Sequence, residues 1–85
     1  MYAVVFRVTI HDIQRASQIL PAMKVLPGFV SAEVMSLQDG TGLAIAGFDS
    51  PGAVQGMIDH WNASPPPGDI LTVEDVNFGE ILQRI

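Results

Sequence analysis

Along residues 2–10 the chain alternates. Tyr2, Val4, Phe6, Val8 and Ile10 fall on one side, and Ala3, Val5, Arg7 and Thr9 on the other. Period two is the signature of a strand, and both sides are apolar enough for this strand to be central in a sheet. The period then changes. Asp12 is an N-cap for a helix over about 13–26, with Ile13, Ala16, Ile19 or Leu20, and Met23 as its buried stripe. Pro21 lies inside that stripe, removes a hydrogen bond, and should kink the helix or divide it in two. Pro27-Gly28 ends it.

A second strand is expected over 29–38. One face carries Val30, Ala32 and Val34; the other carries Phe29 and Met35, with Ser31 and Glu33 between them. Asp39-Gly40 is a hairpin signal, leading into a third strand, Gly42–Phe48. Ser50 then caps a second helix with Pro51 at its first position. Val54, Met57, Ile58 and Trp61 recur at helical spacing and form its buried face. The loop "SPPPGD" ends it. A fourth strand is expected over about 70–78, stopped by Gly79, with "EILQRI" as a short tail.

The order β-α-β-β-α-β, in one domain over residues 1–85, predicts an α+β fold. Right-handed crossovers give a ferredoxin-like four-stranded antiparallel sheet with both helices on one face. The opposite face would then show Ala3, Val5, Leu43 and Ile45 to water. Composition sharpens this. Hydrophobic residues are 48% of the chain and charged residues 15%, so a body this small has too few charges to wrap its apolar surface. A second copy packed sheet to sheet is the expected cover. Ile81, Leu82 and Ile85 in the tail are too apolar to trail in water and are expected to reach that partner, since strand four is an edge.

Charge and residue usage exclude several classes. The net charge is −5, and the cations besides histidine are Arg7, Arg15, Lys24 and Arg84, scattered along the chain. That pattern suits neither nucleic acid nor anionic lipid. There are no cysteines, and two histidines at unrelated spacing make a poor metal set, so neither metal nor cofactor is expected. No apolar run reaches membrane-spanning length, and "MYAVVFRVTI" lacks the basic region and cleavage site of a signal peptide. The expectation is a cytoplasmic protein.

"LPGFVSAEVM", a hairpin and then "IAGFDSPGAVQGMID" resemble the dimeric α/β-barrel superfamily, most closely its antibiotic-biosynthesis-monooxygenase domains. The resemblance covers nearly the whole chain. It implies two ferredoxin-like subunits packed sheet to sheet, a ligand in the cleft between each sheet and its helices, and oxygenation without a cofactor. The haem-degrading branch of that superfamily uses an Asn in strand one, a Trp ending strand three and a His beyond helix two. Here the matching positions hold Phe6 and Phe48, the segment for the His is shortened to "NASPPPGD", and His60 lies too early. Haem degradation is therefore not expected. The alternative reading is a non-catalytic regulatory module like the amino-acid-sensing domains of the same strand and helix order.

Candidate site residues follow from the same pattern. Gly42, Ala44 and Ala46 beside Val4, Phe6 and Val8 should leave a groove under the helices. Phe6, Phe48, Met57 and Trp61, with Met23, are the expected lining for a small flat hydrophobic or aromatic ligand. The competing view is that small residues let helices sit close to the sheet and that Trp61 is core. For chemistry, His60 and Glu33 are the candidates. His60 lies near a helix C-terminus, where a plain surface role is the alternative. Glu33 sits among apolar neighbours, which could raise its pKa, or it is an edge-strand charge that deters aggregation. Arg7, on the helix-free face, is read as an interface partner for Glu33, Glu74 or Asp75.

Overall fold

The alternating segment forms β1 (Tyr2–Ile10) at the centre of a four-stranded antiparallel sheet. The structure is a computed structural model that describes residues 1–83, the Leu20 side chain excepted. The other strands are β2 (Phe29–Ser36), β3 (Thr41–Phe48) and β4 (Leu71–Glu80). Their order is β2-β3-β1-β4, so β2 and β4 are the edges. With the helical segments that follow β1 and β3, the fold is α+β.

The first helical region is divided. It consists of α1 (Ile13–Ala16), α2 (Ile19–Ala22) and a 3-10 turn over Met23–Val25. The break at Ser17-Gln18 is where Pro21 acts. Its ring meets the carbonyl four residues back, at Ser17, and its nitrogen has no proton to offer that carbonyl. Restarting at Ile19 places Pro21 in a first turn, where a missing N–H costs nothing. Asp12 caps α1 by accepting from the Arg15 N–H at 3.1 Å. By contrast, α3 (Pro51–Ala63) runs unbroken, capped by the Ser50 hydroxyl, which accepts from Ala53 N–H at 3.2 Å.

One face of the sheet holds the core. Val4, Phe6 and Val8 from β1, Ala46 and Phe48 from β3, Val54 and Met57 from α3, and Met23 are all buried in one cluster with Ile70 and Leu71. Gly28, at φ +77°, lets β2 start close under α3; a β-carbon there would collide with the Asp49 carboxylate and lie 2.6 Å from that of Ala53. The hairpin turns through Gly40 at φ +88°, with Asp39 accepting from the Thr41 hydroxyl at 2.6 Å. That bond holds the Asp39 carboxyl below its ordinary range.

Four details differ from the sequence reading. In β2 the register slips between Phe29 and Ser31, an extra residue that switches side-chain parity. Phe29 therefore shares the core face with Ala32 and Val34, and Glu33 is left with Met35 and Ile45. Val30, which alternation groups on one face with Ala32 and Val34, is 44% exposed at the irregularity. Ile13, assigned to a buried stripe, is 66% exposed, because a one-turn helix cannot press both ends of a stripe onto the sheet. Gly79 does not stop β4; it pairs with Ala3, and Ile81 N–H extends the ladder to the Met1 carbonyl at 2.8 Å. Ile85 and Arg84 lie outside the described residues.

Candidate functional site

A cavity of about 350 Å³ opens between the sheet and the divided helical region. Its floor follows from the register. Phe6 of β1 faces Ala44 of β3, which faces Val34 of β2; Val8 faces Gly42, which faces Ser36. Ala44 sinks the middle of that floor, whereas the space over Gly42 is taken by the Ile10 and Val8 side chains. Ile13, Ala16 and Ile19 form the roof, standing off the sheet because the helix is broken there, and only Met23 reaches full burial. Trp61 and Leu71 close the end. The Trp61 ring lies over that of Phe6 at 4.8 Å between centroids, tilted by 30°.

The lining is almost wholly apolar. Among the described residues its side-chain polar groups are the hydroxyls of Ser17 and Ser36 and the indole N–H of Trp61, and Ser17 already donates to the Gln14 carbonyl at 2.8 Å. Among the described residues, no titratable side chain lines the cavity. Such a surface recognises shape and apolar area, and it keeps a bound molecule dry.

Of the four expected lining residues, Phe6 and Trp61 meet in the cleft. Phe48 does not reach it. Phe48 is opposite Tyr2, four residues along β1 from Phe6, which is roughly 13 Å at strand rise. It is fully buried against Phe29, edge to face at 6.0 Å. The helix carries Trp61 away from that corner, because ten residues from Pro51 at helical rise span about 15 Å. Met57 is buried beneath α3 and lines a neighbouring depression instead. Ile13, Ala16, Ile19, Val34 and Ser36 were not foreseen; the proline that breaks the helix was the available signal for the first three.

No protein-family model matches the chain, and no curated protein matches it.

The two candidate chemical groups lie on opposite sides of the sheet. His60 is exposed near the end of α3, where its carbonyl accepts from Ser64 N–H at 3.0 Å. Its ring borders a second depression, also about 350 Å³, with Gln18, Ser64 and the proline loop. Glu33 is exposed on the helix-free face beside Ile45. The sheet separates them, so they form no acid–base pair. His11 instead shares a hydrogen bond with the Thr72 hydroxyl at 2.9 Å. Arg7 sits opposite Asp75 and Leu43, but among the described residues it forms no ion pair. No cluster of three acidic, His or Cys side chains suited to a metal occurs among the described residues.

The strongest ion pair braces the cleft. Arg15 of α1 donates to Asp69, in the loop before β4, at 2.8 Å. The bond raises the pKa of Arg15 and lowers that of Asp69. Asp12 stands 3.9 Å from the same guanidinium nitrogen. His11 and Asp12 also donate backbone N–H bonds to the Ile70 carbonyl, at 2.8 and 3.1 Å. Together these contacts pin the start of α1 to the base of β4. No helix among the described residues is long and apolar enough to cross a membrane.

Proposed function

We propose that this chain is a ferredoxin-like subunit of a dimeric α/β barrel, of the antibiotic-biosynthesis-monooxygenase type, whose sheet–helix cleft binds a small flat hydrophobic or aromatic molecule. The observation that carries the reading is the apolar cavity walled by the stacked Phe6 and Trp61 rings. A planar ring gains burial on both of its faces there. The cleft's own contribution is binding and exclusion of water. With no base in the lining, oxygenation without a cofactor requires a ligand acidic enough to give up its own proton. The regulatory alternative is not favoured by any particular feature of the site.

The dimer reading rests on the helix-free face. Val5 and Ile45 pair at its centre, Leu43 and Met35 extend the apolar area, and Arg7, Glu33, Asp75 and Asn77 surround it. An apolar middle with a polar rim is the anatomy of an interface. The tail contributes Leu82, 90% exposed, while Ile81 is bonded within its own subunit. Sedimentation equilibrium at micromolar concentration should give a dimer, and Val5→Glu should give monomer. A wild-type chain that sediments as a clean 9.1 kDa monomer contradicts the dimer.

Ligand binding has a built-in reporter, because Trp61 is the only tryptophan. Its indole N–H gives one resonance in a proton–nitrogen correlation spectrum. Naphthalene should shift that resonance saturably, with a dissociation constant on the order of 0.1–1 mM, the range set by the energy per atom of small apolar ligands. An unmoved indole resonance across the titration contradicts the cleft reading.

A further inference from the structure

The cleft is not a closed box at its Trp61 end. Ile19, Met23 and Trp61 line both the cleft and the second depression, between the first helical region and α3. These three side chains are therefore the wall between two spaces of similar size. The spaces differ in chemistry. The cleft offers apolar surface. The second depression gathers Gln18, His60 and Ser64 against the prolines 65–67. Among the described residues, none of those three polar side chains has a hydrogen-bond partner in the protein. The neighbouring Asp59, by contrast, is engaged by Gln55 at 2.9 Å.

We propose that the ligand is amphipathic, with its flat apolar body on Phe6 and Trp61 and one hydroxyl or carbonyl oxygen reaching past Trp61 to His60 and Gln18. This rests on the cleft reading above and specifies the ligand class for that site. The wall suits such a ligand. An isoleucine and a methionine have flexible ends, and Trp61 is only half-buried. Imidazole and amide can each donate or accept, so a hydroxyl finds a partner in either tautomer. The prolines make the far side of the depression stiff, which fixes where the polar end must stop. A purely apolar ligand would leave His60 and Gln18 unused, and a purely polar one would waste the stacked rings.

The test compares naphthalene with 2-naphthaleneethanol, which adds a two-carbon arm ending in a hydroxyl, using the Trp61 indole resonance. In the wild-type protein the alcohol should bind about fivefold more tightly, the worth of one net hydrogen bond. His60→Ala should abolish that advantage while leaving the naphthalene affinity unchanged, His60→Gln should restore part of it, and Gln18→Ala should reduce it. Both residues are exposed, so the variants should fold, and unchanged naphthalene binding verifies this. Equal affinities in the wild type, or an advantage that survives His60→Ala and Gln18→Ala together, overturns the proposal and leaves the cleft reading standing. If neither probe binds, the cleft reading fails and this one falls with it.

Discussion

The two helical regions of this chain connect strands in the same way and end differently. After β3, α3 is thirteen residues long, is capped at Ser50, and drives Val54 and Met57 to full burial. After β1, a stretch of similar length becomes two single turns and a 3-10 turn, and among its described side chains only Met23 is buried. Pro21 accounts for the difference, because at that position it removes a helix hydrogen bond and clashes with the carbonyl of Ser17, and here the helix divides. The unbroken helix closes the core. The broken one fails to close it, and the space left above Ala44 is the cleft. In a domain of this size, the cavity is where regular structure was interrupted.

The largest expected contrast is in stability. Met57→Ala should cost about 2–5 kcal/mol, the range for emptying a fully buried site. Ile13→Ala, on a residue 66% exposed in α1, should stay within about 0.5 kcal/mol. Urea unfolding of both variants decides it. A comparable loss for Ile13→Ala would mean that the first region packs as tightly as α3, and the contrast would disappear.

How much of this was readable in advance divides along the same line. Alternation in β1, the caps Asp12 and Ser50, and the stripe of Val54, Met57, Ile58 and Trp61 are local signals, and the elements they predict are present. Pro21 announced the divided helix. The sequence did not reveal the slip in β2 that turns Phe29 into the core, since a bulge is set by pairing with β3 rather than by composition. It likewise hid the distance between Phe48 and Trp61. Phe48 points from the sheet into the core and Trp61 points back from the helix, but α3 runs across the sheet and separates them, so the aromatic pair of the cleft is Phe6 with Trp61. Of the small residues on β3, Ala44 lies on the cleft floor while Gly42 and Ala46 do not line it; Val34 and Ser36, which extend the floor, depend on the shifted register of β2.

A smaller effect probes what holds the loosely packed region in place. Arg15 keeps the Asp69 carboxyl below its ordinary range by hydrogen bonding. A carboxylate whose folded pKa is depressed contributes stability above the ordinary aspartate pKa, near 4, and loses it as pH falls through the lower folded value. Asp69 is well exposed, so the contribution is screened and slight. Asp69→Asn should lower the melting temperature marginally at pH 7, and the difference from wild type should vanish in acid below the depressed folded pKa of Asp69. A difference that persists there would assign the bond between α1 and the loop to something other than charge.

The central claim is that the space beneath the broken helix is a ligand site and not a packing flaw, and Ala44→Leu tests it most directly. The larger side chain should fill the floor between Phe6 and Val34. The account predicts that the naphthalene-induced shift of the Trp61 indole resonance, present in the wild type, is lost in this variant, while its urea midpoint matches or exceeds that of the wild type because the added carbons enter existing space. A variant that still shifts the indole saturably, or that loses the about 1–3 kcal/mol typical of overpacking a filled core, would contradict it.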